Sequence, residues 1–290
     1  MVLESIIRPL RAEKRPWELF FYGILITSIG LFLGYWVFRD KADMVLIFLT
    51  VFAATPLMFH AVRLEEKKDI QTESEKTMLA EHSKLISFYI FLFLGMTVSL
   101  VIWYVVLPTD MSADIFRQQT TTITQINAPI AKTTGNLASS NAVSSQVFMR
   151  IFTNNIKVLI FCIIFSFLYG AGAIFILTWN ASVVAVAIGN LIKIGIAKYA
   201  AAAGLTKIAA MMQTVTFSIS RYFIHGIPEM LAYMIAGLAG GIISAAIINH
   251  HTKNTEFQKI AFDTSTLIII SIAVLFLAAI IESYITPILF

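Results

Sequence analysis

Charge is what this 290-residue chain has least of: Asp, Glu, Lys and Arg together make up 13% of it, against 58% hydrophobic residues. A soluble domain carries about a quarter charged residues, so an ordinary water-soluble globule is excluded. The net charge of +4 is too small to argue for nucleic acid as a partner. A single cysteine, Cys162, excludes a disulfide framework. No H-E-x-x-H, G-x-S-x-G or Walker spacing occurs, and His250 and His251 are adjacent, so a helix would turn them apart. No metal, cofactor or catalytic residue is therefore expected.

Long apolar runs are present instead. A spanning helix needs roughly 20 apolar residues, and six windows supply them: 17–38, 43–62, 85–107, 156–179, 222–248 and 260–285. Arg8, Arg11, Lys14 and Arg15 precede a full-length first span, unlike the short core of a cleavable signal. The expectation is an all-α, polytopic transmembrane bundle of about six spans in a cell membrane, with the lipid bilayer as its first partner. Between the fourth and fifth windows, 181–197 and 205–220 are apolar but short and broken by Gly189, Gly195 and Gly204. They suggest a re-entrant or interfacial helical pair, with Lys193, Lys198 and Lys207 reaching toward headgroups.

The chain divides into three regions: 1–107 with three spans and a charged 63–84 loop, a polar loop over 108–155, and a membrane domain over 156–290. Basic residues gather before the first span and in 63–84, whereas 108–155 holds only Arg117, Lys132 and Arg150. The positive-inside rule puts the first two in the cytoplasm and 108–155 outside. An even number of spans then places both termini in the cytoplasm. The charges of 63–84 read as a solvated helical extension. The outer loop, with short helices from its scattered apolar residues, is where an extracytoplasmic or membrane protein partner would touch.

Polar groups inside apolar runs are the candidate site, since ionisable residues in a bilayer are costly. His225 and Glu229 stand four apart, and Glu282 sits near the end of the last run. Each has a bland alternative. Pro228 favours the first turn of a helix, which would put Glu229 at a stabilising N-terminus, and Glu282 would lie at the headgroups where its helix ends. On a helix, Glu229 shares a face with Tyr233, Gly237 and Gly241, and with Gly240 beside them, which points it into the bundle. His225, Arg221 and Tyr233 are its candidate partners; Ser283, Tyr284 and Thr286 are those of Glu282. Asn154, Asn155 and Asn180 flank the fourth window and read singly as caps. Gly30 and Gly34, like Gly237 and Gly241, have the G-x-x-x-G spacing of close helix contacts, and such pairs raise a homodimer as an expectation.

Asn154-Asn155, Gly170 and Gly172, Leu177 to Asn180, His225-Gly226, Glu229, Gly237–Gly241 and Ala279-Ile-Ile-Glu282 with Thr286-Pro287 occur in this order. In them the chain, from about Phe152 to Pro287, resembles the stage II sporulation protein M family of polytopic membrane proteins. Ala181 stands where the family often has glycine, and the first three spans look like an addition to it. The resemblance implies a non-enzymatic membrane scaffold that recruits partners or remodels the membrane; the sporulating members act with peptidoglycan-degrading partners at the engulfing septum. The residues leave two alternatives open. One is a transporter, channel or lipid-translocating protein with a polar cavity at His225, Glu229 and Glu282. The other is an intramembrane metal-dependent hydrolase using the same side chains.

Overall fold

The computed structural model describes residues 15–71, 75–125, 140–169, 173–199, 204–248 and 255–289. Gly170, Gly172, His250, His251 and 126–139 lie outside the described residues, as do the side chains of 65–81 and Lys207. Every regular element among the described residues is helical: α1 (Glu18–Val37), α2 (Ala42–Gln71), α3 (Glu75–Val106), α4 (Thr109–Ile115), α5 (117–125), α6 (Ser140–Tyr169), α7 (Ala173–Lys198), α8 (Gly204–Ile248), α9 (Thr255–Ile280) and α10 (Thr286–Leu289). A π-helical turn, Ile281–Ile285, joins the last two. Seven of these helices are long and apolar enough to cross a membrane. The all-α polytopic class expected from the sequence holds.

The helices alternate in direction. α1 and α3 run in parallel, because Gly23 packs on Leu92 and Met96 while Ser28, further along, meets Ser99 and accepts a hydrogen bond from the Trp103 indole at 3.0 Å. α2 runs back, with Gly34 against Ala42 and Leu46, and the Tyr22 hydroxyl donating to the Ala53 carbonyl at 2.8 Å. α7 follows α3 in parallel, since Thr178 meets Met96 and Gly189 meets Tyr104. α8 opposes α7, with Gly237 on Ala173 and Thr214 on Gly195. α9 opposes α8: its start follows the end of α8, and Thr286 just beyond it reaches His225. One apolar core runs through α1, α2, α3, α6, α7, α8 and α9, from Leu19 to Leu275, so residues 1–107 and 156–290 share their interior.

The helix break after the fourth span lies elsewhere than the sequence suggests. The window 156–179 belongs to two helices, α6 ending at Tyr169 and α7 beginning at Ala173. Residues 181–197 are therefore most of a 26-residue helix, about 39 Å long, enough to cross a bilayer. Residues 205–220 are the first half of the 45-residue α8. Neither is a short re-entrant piece. Gly189 and Gly195 misled the expectation: they do not interrupt α7 but let Tyr104 and Thr214 approach it. Lys193 does not reach away from the protein either. It lies 4.5 Å over the Tyr104 ring and donates to Ser112 Oγ at 3.4 Å.

α2 continues to Gln71 and α3 begins at Glu75, so much of 63–84 is helical extension. Within 108–155, α4 and α5 form a lid over one end of the bundle. Ile115 and Phe116 are fully buried there with Leu100, Ala185 and Val186. The exposed Arg39–Asp114 ion pair at 3.2 Å ties this lid to the start of α2, a weak tie given its solvent screening. The rest of 140–155 is α6 itself, not loop.

Candidate functional site

The bland alternative for Glu229 depended on a helix beginning beside it, and no helix begins there; Glu282 lies within two turns of the end of α10 at Leu289. α8 runs without a break through Pro228, so Glu229 lies in mid-helix, far from a dipole end that would stabilise it. Pro228 has no N–H to give the Ile224 carbonyl, which loosens the ladder one turn before the carboxylate. His225 and Glu229, four apart on this continuous helix, share a face. Likewise α9 does not stop at Glu282 but passes through the π-helical turn Ile281–Ile285 into α10. π-turns inside helices are frequent at functional sites. This one re-aims Glu282 and closes on Thr286, whose hydroxyl bonds the Ile281 carbonyl at 3.1 Å.

The three sequence-predicted ionisable residues converge. Tyr233 donates its hydroxyl to Glu229 Oε1 at 2.8 Å. Glu229 lies on α8 and Glu282 on the π-helical turn that packs against it. Thr286 Oγ1 lies 3.4 Å from His225 Nδ1, and Arg221 stands one turn before His225 on α8. Depth follows from packing. Gly237 meets Ala173 at the start of α7, and Glu229 precedes Gly237 by about 12 Å of helical rise. The carboxylate therefore lies about a third of the way along α7, level with apolar residues of its neighbours.

Other expected partners go elsewhere. Tyr284 packs on Phe148 with ring centroids 6.4 Å apart. Ser283 is buried, and its hydroxyl has no hydrogen-bond partner. Asn155 is buried in mid-α6, taking a long 3.5 Å bond from Asn154, and Asn180 bonds the Ile176 carbonyl of its own helix at 2.8 Å. Both asparagines lie inside helices, so the cap reading of each is corrected, and no bond joins either to the carboxylates among the described contacts. The small-residue face does what its spacing implies within a single chain. Gly240 sits against the Ile163 carbonyl and Ser166, and Gly30 against Leu46 and Thr50, while Gly241 is buried. The contacts raised as a dimer surface are taken up inside the bundle.

Two features have no counterpart in the sequence pattern. Gly95 lets the Phe20 backbone lie directly on α3, with no room for a side chain. The Tyr89 hydroxyl is enclosed without a hydrogen-bond partner, an arrangement that costs about 1–3 kcal/mol. Neither has a sequence signal, because both depend on which helix lies opposite. Among the described residues no three His, Cys, Asp or Glu side chains are grouped to hold a metal ion, so the donor set for a metal-dependent hydrolase is not assembled there.

The Tyr233–Glu229 bond gives a direct prediction. Tyr233→Phe keeps the ring and removes the donor, so it should lower stability by about 1–3 kcal/mol, read as a lower melting temperature in detergent. An unchanged melting temperature would mean that the bond contributes nothing.

An alternating bundle with seven helices long and apolar enough to cross a membrane among the described residues defines the class: a polytopic helical membrane protein. The stage II sporulation protein M (SpoIIM) family matches residues 23–287, and the chain belongs to that family. The match begins within α1, so the first three spans are part of the family region rather than an addition to it. No curated protein and no solved structure matches the chain.

Proposed function

We propose that this SpoIIM-family protein acts in proton transport across a cell membrane, with Glu229 and Glu282 as the proton-binding pair. The observation that carries the reading is their convergence from two helices, one loosened by Pro228 and the other opened by a π-turn. A carboxylate among apolar helices must take a proton or a counter-ion. Two carboxylates with Tyr233, Thr286 and His225 beside them suit the exchange of a proton better than a divalent ion, which asks for six or more oxygen ligands or several waters. Mobile or broken helical backbone beside midplane charges is also how many transporters build their sites. All seven long helices cross in this reading, so an odd count puts the two ends of the bundle on opposite sides. The basic residues before α1 then keep the N-terminal end cytoplasmic.

The scaffold role implied by the family resemblance keeps one specific support. α8 is about 68 Å long by its 45 residues, about twice the hydrocarbon thickness. Its first half carries exposed Leu205, Ile208, Met212 and Phe217, which a partner or second copy could cover. The test that separates the readings is proton flux in sealed vesicles of purified protein. Flux above that of protein-free vesicles under an imposed pH gradient is expected. A rate equal to that of protein-free vesicles in both gradient directions would count against transport and in favour of the scaffold.

A further inference from the structure

The α7–α8 hairpin reaches past the charged turn that follows α1. Gly189 of α7 meets Tyr104 near the end of α3, and the neighbouring Trp103 ring packs edge-on against Phe32 of α1, with centroids 4.6 Å apart. From that common level α1 runs about 10 Å further to the Arg39–Lys41 turn. This turn, with exposed Trp36 and Phe38 just before it, marks the edge of the hydrocarbon at the lid end. The hairpin goes further. Thr214 of α8 packs on Gly195, and α8 begins at Gly204, about 24 Å past the level of Tyr104 by helical rise. Its tip therefore stands about 15 Å beyond the Arg39–Lys41 turn. A solvated tip would carry charged side chains of both signs. Here Leu205 is 84% exposed and Met212 66%, with Ile194 and Ile208 exposed beside them. Every charged residue between 173 and 228 is basic: Lys193, Lys198, Lys207 and Arg221. The lid occupies Lys193 through Tyr104 and Ser112. Lys198 lies 5.4 Å over the ring of Tyr199 and pairs with no carboxylate among the described residues.

Exposed apolar side chains accompanied by cations alone suit a helix that lies in an anionic lipid surface, its apolar groups in the acyl boundary and its lysines at the phosphates. The charge also chooses between occupants. A second copy would set lysine against lysine, whereas anionic headgroups complement every charge on the hairpin. The bilayer that the chain spans ends lower down, at the level of the Arg39–Lys41 turn. We propose that the tip of the α7–α8 hairpin, through Leu205, Ile208, Met212 and Lys198, docks on the anionic headgroup surface of a second, facing bilayer. The protein then spans one membrane and touches another across a narrow gap. None of the residues of the carboxylate site takes part, so the inference stands apart from proton transport.

The test uses the full-length protein in nanodiscs of neutral phosphatidylcholine, mixed with larger protein-free vesicles and separated by flotation. Vesicles containing phosphatidylglycerol should carry wild-type discs with them, about tenfold or more above empty discs, and added salt should release them. Vesicles of phosphatidylcholine alone should leave them behind. Leu205→Ser combined with Met212→Ser removes apolar contact without adding charge, at positions too exposed for packing to suffer. It should lower capture by about tenfold or more, and Lys198→Gln by about fivefold, with melting temperatures unaltered. Wild-type discs that fail to float with anionic vesicles would overturn the docking. Equal capture by neutral vesicles would do the same, as would wild-type capture of the Leu205 and Met212 double variant. Discs that pair with one another instead, and lose that pairing in the double variant, would make a second copy the occupant and remove the lipid assignment.

Discussion

Glu229→Gln is expected to bring proton flux in vesicles down to within the background of protein-free vesicles, a fall of about a hundredfold. The amide is nearly isosteric with the carboxylate, and its oxygen still accepts the Tyr233 hydroxyl that lies 2.8 Å from Glu229. Packing and assembly should therefore survive, and what is lost is the ability to bind and release a proton. Glu282→Gln should act in the same way, because the π-turn that carries Glu282 packs against α8. Size-exclusion elution and melting temperature, measured on the same preparations, separate a chemical loss from a folding loss. Wild-type flux in folded Glu229→Gln would remove the carboxylate from the mechanism and leave its cost inside the membrane without a functional reason.

The largest structural effect is expected at Gly95. A Cβ at this position would run into the backbone carbonyl of Phe20, and the reciprocal glycine is nearly as tight, with a Cβ on Gly23 lying 2.7 Å from the Leu92 carbonyl. Overpacking a core usually costs about 1–3 kcal/mol, but here the obstacle is backbone, which cannot rotate away. Gly95→Val should therefore separate α1 from α3 and break the Trp103–Ser28 bond beside them. Loss of a monodisperse, heat-resistant species in detergent is the expected result. Gly226→Ala is the matched comparison: nothing lies within 4 Å of that position, and alanine favours helix by about 0.8–1.0 kcal/mol. It should be neutral or stabilising. Equal tolerance at both positions would mean that α1 and α3 are not held in close backbone contact.

Much of this architecture can be read from the chain because spanning helices announce themselves by length and hydropathy. The helix breaks cannot be read so directly. Glycine in a membrane helix serves close packing as often as termination, and Gly189 and Gly195 are used in the first way. Pro228 is read most simply as a helix start, yet α8 passes through it, because in an apolar bundle neighbouring helices hold a proline-containing segment in place. That single misreading hid the most important fact about Glu229, its distance from any helix end. His225, Glu229 and Glu282 could be singled out from their cost in lipid alone. The π-turn at Ile281–Ile285 could not.

The claim on which the rest depends is that Glu229 and Glu282 form one unit inside the bundle. A double-mutant cycle on melting temperature, using Glu229→Gln, Glu282→Gln and the combined variant, measures this without assuming any transported species. A shared site predicts that the two effects fail to add, with a coupling of at least about 0.5 kcal/mol. Simple additivity would contradict it, placing the two carboxylates apart and returning each to an independent position in its own helix.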